Sequence, residues 1–269
     1  MRIAHISDLH FGRISYEHVV EDLIQSIIDY RCDLVLVTGD LTQRARKSEF
    51  IQANQFFQNL PIPHLVVPGN HDVHAWWHRP DLRVFNPLRR YKKMISPELE
   101  PYILADNIAA LGLNTAHGLT IKSGRCTARH QARIREFFSN RSPDTLKILA
   151  THHPLDLSLF YSNSDVAHGG YNLLATAATY GVHVICAGHW HIALTSSDQI
   201  AGKDMLFSYA GTACSDRWRA PHMGLNSWNS LEKTEHGVIT RIHGYNPETH
   251  LFEQMKLHSA TVELIFTHD

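Results

Sequence analysis

Arg2-Ile3-Ala4-His5-Ile6-Ser7-Asp8-Leu9-His10-Phe11-Gly12 opens the chain. Its two halves differ in character: Ile3 to Ser7 read as a short buried strand, and Asp8-Leu9-His10-Phe11-Gly12 as a polar turn at its end. The same transition recurs. Leu34 to Thr38 runs into Gly39-Asp40, His64 to Pro68 into Gly69-Asn70-His71-Asp72, Ile148 to Ala150 into Thr151-His152-His153-Pro154, and Val184 to Ala187 into Gly188-His189-Trp190-His191. Between the first three strands the pattern predicts helices. One starts at a capping Ser15 and runs to about Tyr30, with Val20, Ile24, Ile27 and Ile28 on one face, and one spans Glu49 to Leu60. Strands alternating with helices imply βαβ units. In open α/β sheets the ligand crevice lies at the carboxyl ends of the strands, so the five polar tips are expected to converge. Gly39, Gly69 and Gly188 would let the chain turn sharply there and approach a bound group closely.

Further apolar runs at Ile108 to Leu113, Leu146 to Ala150, Val182 to Ala187 and Met205 to Tyr209 add strands. Gln131 to Phe138 and Tyr171 to Tyr180 read as helices, and the tail from Gly237 alternates like antiparallel strands. The reading is an α/β fold of two stacked sheets with helices outside both, the second sheet finished by the C-terminal hairpins. Residues 74–100 break the rhythm, because His74-Ala75-Trp76-Trp77-His78-Arg79 and Leu88-Arg89-Arg90-Tyr91-Lys92-Lys93 are aromatic and basic rather than amphipathic. They read as an insertion beside the site of a single domain spanning 1–269. No repeat or low-complexity linker marks a second unit.

Composition narrows the function classes. The 269 residues are 43% hydrophobic and 19% charged, ordinary for a globular protein, and no stretch approaches the roughly 20 apolar residues of a membrane span. The first residues lack the apolar core of a signal peptide, so a cytoplasmic location is expected. Cys32, Cys126, Cys186 and Cys214 are scattered without metal or redox spacing and fit a reducing compartment. A formal net charge of -1 gives no pull toward nucleic acid. The outlier is histidine, with 21 copies, a side chain that binds transition metals and titrates near neutral pH.

Asp8, His10, Asp40, Asn70, His152, His189 and His191 offer oxygen and imidazole donors without a thiolate, a set suited to Mn, Fe, Zn or Mg ions. Seven donors exceed the needs of one ion. Two divalent ions about 3.5–4 Å apart and sharing a carboxylate would use them and would clamp both oxygens of a phosphoryl displacement, with Asp40 the natural bridge. Taken singly, each residue has a plainer reading: an aspartate after a strand is usually a turn or cap residue. His5, His64 and His183 lie inside strands as core or edge residues, Trp190 and the Trp76-Trp77 pair suit packing, and the basic run 79–93 suits a solvated helix face.

The ordered series DLH, GD, GNHD, THHP and GHWH, over residues 1 to about 195, resembles the calcineurin-like metallophosphoesterase superfamily, nearest its small phosphodiesterase branch of cyclic-nucleotide and glycerophosphodiester enzymes. The resemblance implies a four-layer α/β/β/α sandwich of two mixed sheets flanked by helices, with a dinuclear centre. It assigns Asp8, His10, Asp40 and His191 to one metal, and Asp40, Asn70, His152 and His189 to the other. Asn70 and His71 would contact the phosphate, and His71, as an imidazolium, would be the catalytic acid, with His153 or His74 as alternatives. Arg13, Arg44 and Arg125 are further candidates for phosphate contact or for solvated roles. Gly211-Thr212-Ala213 and Asn226-Ser227 resemble the segment that closes the site in that branch. The DxHG and GDxxDRG patterns of the serine/threonine phosphatases are missing, since Phe11 separates His10 from Gly12 and Gln43-Arg44-Ala45 stands in place of DRG. A phosphodiesterase with a small phosphoester substrate is therefore expected, with a cyclic nucleotide, a glycerophosphodiester and a nucleotide-linked lipid precursor as the candidates. A nuclease and a scaffold retaining the metal site are the alternatives, and homo-oligomerisation is left open.

Overall fold

The computed structural model describes residues 1–77, 79–105, 107–142, 144–156, 166–235, 237–255 and the backbone of 261–262. The amino-terminal rhythm of strand and helix forms as read: β1 (Arg2–Ile6), α1 (Val19–Asp29), β2 (Leu34–Val37), α2 (Lys47–Asn59) and β3 (His64–Val66), the three strands being parallel neighbours. Residues 74–100 contribute two short helices, α3 (Pro80–Phe85) and α4 (Arg89–Met94). There follow β4 (Tyr102–Ala105), β5 (Ile108–Leu113), α5 (Ala128–Phe138), β6 (Leu146–Thr151), α6 (Gly170–Thr179) and β7 (Val184–Ala187). The chain continues through β8 (Leu194–Ile200), β9 (Lys203–Tyr209), β10 (Ser227–Lys233), β11 (Val238–Asn246), β12 (Leu251–Gln254) and β13 (Thr261–Val262).

These strands make two mixed sheets. One has the order β12-β11-β10-β1-β2-β3, with β13 also on β11, and the other β4-β5-β6-β7-β9-β8. Every residue of β2, β5, β6 and β7 is buried, as expected of strands covered on both faces, and this is why they read as apolar runs, broken only in β6 by Lys147, whose ammonium donates to the Tyr180 carbonyl, and Thr151. Ile3, Leu34, Leu36 and Leu65 of the first sheet pack against Ile108, Ile148, Val184 and Leu206 of the second. The outer face of the first sheet packs on Val19, Leu23 and Ile27 of α1 and Phe50 and Phe56 of α2. That of the second packs on Ile134 and Phe138 of α5 and Leu173, Leu174 and Ala177 of α6. Three apolar interfaces thus separate four layers. Among the described residues no helix is long and apolar enough to cross a membrane.

Two expectations are corrected. Ser15 does not cap a helix: α1 begins at Val19, and the Ser15 hydroxyl is engaged by the Cys214 carbonyl at 3.1 Å and Asn226 Oδ1 at 2.7 Å. The C-terminal hairpins complete the first sheet and not the second, because β10 pairs antiparallel with β1 along the edge that β2 leaves open. Trp228 of β10 explains the preference. It is fully buried in the core against α1, stacks on His243 at 4.0 Å and donates its indole N–H to Ser26 Oγ.

Of the strands absent from the sequence reading, β4 is a short apolar edge strand on β5, and the other two, β8 and β10, are polar. β8 is an edge strand with Ser197, Asp198 and Gln199 exposed. In β10, Asn229 and Ser230 are fully buried and hydrogen-bonded, Asn229 donating to Ser208 Oγ and the Tyr209 carbonyl. Hydrophobic periodicity carries no signal for such a strand.

If Trp228 holds the C-terminal strands to the first sheet, Trp228→Ala lowers unfolding free energy by about 3–5 kcal/mol. Urea denaturation checks this, and a loss below about 1 kcal/mol would contradict the packing account.

Candidate metal centre

The five polar tips meet at one end of the two sheets, and their backbone is unusual. Asp8, His10, Asp40, His189 and His191 have φ of 54°, 45°, 52°, 70° and 58°, the left-handed region that non-glycine residues occupy at a cost and that clusters at functional sites. The turns are tied to one another. Asp8 N–H donates to the Gly39 carbonyl and His10 N–H to the Asp40 carbonyl, and Asp8 Oδ2 accepts from the His189 amide at 2.9 Å. The glycines serve this closeness. A Cβ at Gly69 would lie 2.1 Å from Asp40 Oδ1, and one at Gly188 would lie 1.9 Å from Ser7 Oγ.

Donor atoms then gather in two groups. Asp8, His10, Asp40 and His191 each offer one ligand atom within 4.8 Å of the others, and so do His152, His153 and His189. Asp8 Oδ1 lies 3.1 Å from His191 Nε2 and 3.5 Å from His10 Nε2. The two imidazole nitrogens, His10 Nε2 and His191 Nε2, are themselves 3.2 Å apart. Asp40 reaches both groups, with Oδ2 3.6 Å from His10 Nε2 and Oδ1 3.4 Å from His152 Nε2. Asp8 Oδ1 and Asp40 Oδ2 are buried and accept no hydrogen bond. Buried carboxylate oxygens without donors are costly, and oxygens ringed by imidazoles fit a bound cation.

The outer contacts orient the rings for that purpose. His10 Nδ1 faces the Thr42 carbonyl at 3.3 Å, His152 Nδ1 the Thr38 carbonyl at 2.7 Å, and His191 Nδ1 the Arg217 carbonyl. A carbonyl only accepts, so each Nδ1 carries the proton and each Nε2 presents its lone pair inward, the arrangement usual for ligating histidine. Burial pushes the His10 ring down to about 3 and lowers His153 and His189 as well, favouring the neutral form that binds metals. Burial opposes the charge of Asp8 too, but His191, His10 and His152 outweigh it and hold the carboxyl well below its ordinary value.

Of the other residues singled out in the sequence, Asn70 Oδ1 lies 3.0 Å from His152 Nε2, which brings it to the second group. His153 sits closer than expected: its ring centroid is 4.7 Å from those of His152 and His189, with Nδ1 on Thr115 Oγ1 at 2.8 Å. His71 stands edge-on to His10 at 4.8 Å and donates Nδ1–H to the Gln43 carbonyl at 2.7 Å. Burial lowers its pKa, Arg217 adds to this and Asp40 opposes it, so the environment disfavours the imidazolium expected from the sequence. Arg13 does not reach the site, its guanidinium being paired with Asp216 at 2.7 Å. His74 is buried, with its carbonyl bound by Arg83. Thr212 and Asn226 do not close over the centre. Thr212 Oγ1 donates to the Asp8 carbonyl and Asn226 Nδ2 to the Ser215 carbonyl, supporting the Asp8 turn from behind.

Two residues at the site escaped the sequence reading. The Asp72 carboxylate accepts from the amides of Gly69, Leu41 and Thr42 and so ties the Asn70 turn to the Asp40 turn. Burial and the Asp40 charge raise its pKa to about 7. Its place in GNHD was the available signal. Arg217 supplies the carbonyl behind His191 and directs its guanidinium toward Gln43 Oε1 at 3.4 Å. It comes from a loop with no motif to mark it. A cleft of about 240 Å³ opens beside His71 and Asn70, lined also by Gln43, Arg44, Trp76, Trp77, Ile121, Lys122 and Arg217.

The family model described as calcineurin-like phosphoesterase matches residues 1–193, the stretch that supplies all seven expected donors. The chain belongs to the calcineurin-like phosphoesterase family. Among curated members, this phosphoesterase is 25% identical over 211 residues to the glycerophosphodiester phosphodiesterase GpdQ of Enterobacter lignolyticus (strain SCF1), covering 74% of each chain. It is 31% identical over 67 residues to a probable cyclic nucleotide phosphodiesterase of Psychrobacter arcticus (strain DSM 17307 / VKM B-2377 / 273-4), covering 25% of this chain and 23% of that one. The purple acid phosphatase PPD1 from yellow lupin (Lupinus luteus) seeds shares the fold at a TM-score of 0.67 and 13% identity, over 94% of this chain and 52% of its own.

Because a Cβ at Gly69 collides with Asp40 Oδ1, Gly69→Ala is expected to weaken Mn²⁺ affinity by about 10–100-fold, as displaced supports of metal ligands do. Calorimetric titration measures it, and an unchanged affinity would show that the close approach is dispensable.

Proposed function

We propose that this phosphoesterase is a two-metal phosphodiesterase acting on a small organic phosphodiester. The observation that carries the reading is Asp40, one buried carboxylate whose two oxygens face His10 on one side and His152 on the other. Asp8, His10, Asp40 and His191 would hold one ion, and Asp40, Asn70, His152 and His189 the second, with His153 at its edge. Such ions supply Lewis acidity at the phosphoryl oxygens and water acidic enough to attack phosphorus near neutral pH. The similarity to a glycerophosphodiester phosphodiesterase over three quarters of both chains supports a diester over a monoester.

The chain's own residues then have distinct tasks. Asn70 turns its amide oxygen toward His152, where the second ion would lie, and its amide nitrogen donates to the Ile121 carbonyl, which fixes the side chain at the mouth of the cleft. His71, held by the Gln43 carbonyl through Nδ1, has Nε2 for the substrate; it passes a proton to the departing alkoxide once Nε2 has taken one up, a step that the negative charge of a bound phosphate favours against the burial that keeps the free ring neutral. Arg44, Lys122 and Arg217 line the cleft without a carboxylate among its lining residues, which favours an anionic substrate and disfavours a positively charged one.

With Mn²⁺ supplied, the purified protein is expected to hydrolyse bis(4-nitrophenyl) phosphate faster than 4-nitrophenyl phosphate; the reverse order would overturn the diesterase reading. Asp40→Asn is expected to lose at least one metal equivalent by elemental analysis and most activity, and two retained ions with full turnover would refute the bridge. His71→Ala is expected to keep both metals and to slow diesters with poor leaving groups more than nitrophenyl esters, whereas equal losses would remove the acid role.

A further inference from the structure

We infer that the substrate of this centre is an amphiphile, a phosphoester carrying a hydrocarbon chain that lies along an exposed apolar rim beside the cleft. The inference rests on the diesterase reading above and adds the class of substrate. Thirteen large apolar side chains are exposed among the described residues, and six of them, Trp76, Trp77, Val84, Phe85, Leu119 and Ile121, fall in two short stretches. The exposure is high: 87% for Phe85, 69% for Leu119 and Trp77, and 70% for Ile121. Scattered exposed residues need no account, but a cluster at a functional site marks an interaction surface.

The two stretches lie against each other. Arg83 of α3 donates to the Gly118 and Thr120 carbonyls, and Gly118 packs so closely on the Arg83 carbonyl that a Cβ there would lie 1.8 Å from its oxygen. Arg83 is thereby spent on the loop, and it also covers one face of Trp76 at 5.2 Å. The apolar side chains are therefore mounted on a braced frame. The rim joins the catalytic cleft directly, since Trp76, Trp77 and Ile121 line it together with His71, and the Ile121 carbonyl accepts from Asn70 Nδ2 at 3.2 Å.

Charge separates along the same path. Arg44, Lys122 and Arg217 line the cleft with His71, while Val84, Phe85 and Leu119 stand outside the cleft lining. Cations within and hydrocarbon without complement a ligand with an anionic head and an apolar tail. A nucleotide would need the Trp77 face, over which Arg44 lies at 5.5 Å, but would leave the outer residues without a role.

The test is calorimetric binding of methyl, hexyl and decyl phosphate, below micelle-forming concentrations, to the Mn²⁺-loaded protein. Affinity is expected to rise at least about tenfold from methyl to decyl, and the double variant Phe85→Ser/Leu119→Ser is expected to lose most of that gain, while Tyr171→Ser, exposed elsewhere, keeps it. Equal affinity along the series, or a gain untouched by the double variant, overturns the inference. So does adenosine 5′-monophosphate binding as tightly as decyl phosphate in both proteins. Turnover of bis(4-nitrophenyl) phosphate in the same preparations separates the two proposals: a chain-length gain without turnover contradicts the diesterase reading and sustains the amphiphile, and turnover without the gain does the reverse.

Discussion

The Asp40 carboxylate is the constraint around which the site is arranged. It is buried at the end of β2, its Oδ1 accepts from the His71 amide at 2.8 Å, and its two oxygens face imidazoles from different sheets. Removing a charge from water is expensive unless it is paired, so the groups around Asp40 are as much a condition of the fold as of the chemistry. Gly69 must lack a side chain for Asp40 to fit, Asp72 must join the flanking turns, and the left-handed backbone at Asp8, His10, His189 and His191 must be held by neighbouring turns. The cost of these positions is met by the apolar layers beneath, where β1, β2, β5, β6 and β7 bury nearly every residue.

Much of this was legible in the sequence because two signals coincide there. Strands covered on both faces must be continuously apolar, and the chemistry sits where each run stops, so Ile3 to Ser7 followed by Asp8 and His10 reveals strand and site together. The structure brings all seven of the donors read from the sequence together. What stayed hidden has physical reasons. Strand β10 buries Asn229 and Ser230 by hydrogen bonding, which hydropathy cannot register, and its pairing with β1 moved the C-terminal hairpins to the other sheet. Ser15 looked like a cap because its bonds to Cys214 and Asn226 join residues about 200 positions apart. Arg217 has no motif, and its place depends on the course of a loop. The tilt of the His71 environment toward the neutral ring depends on burial and on Arg217, which no local pattern reveals.

The region 74–100 acquires meaning only with the neighbouring loop. Aromatic and basic residues that interrupt the strand and helix rhythm become one wall of the cleft once Arg83 binds the carbonyls of Gly118 and Thr120. Exposed apolar side chains are thereby set next to a cleft lined by Arg44, Lys122 and Arg217. The donors at the strand ends are marked by motif, whereas the rim comes from residues 76–85 and 119–121, which carry none.

The central claim is that Asp40 lies between two ions, and anomalous diffraction from crystals grown with Mn²⁺ tests it most directly. The account predicts two peaks, one enclosed by Asp8, His10, Asp40 and His191, the other by Asp40, Asn70, His152 and His189. A single peak, or a second peak out of reach of Asp40, would contradict it.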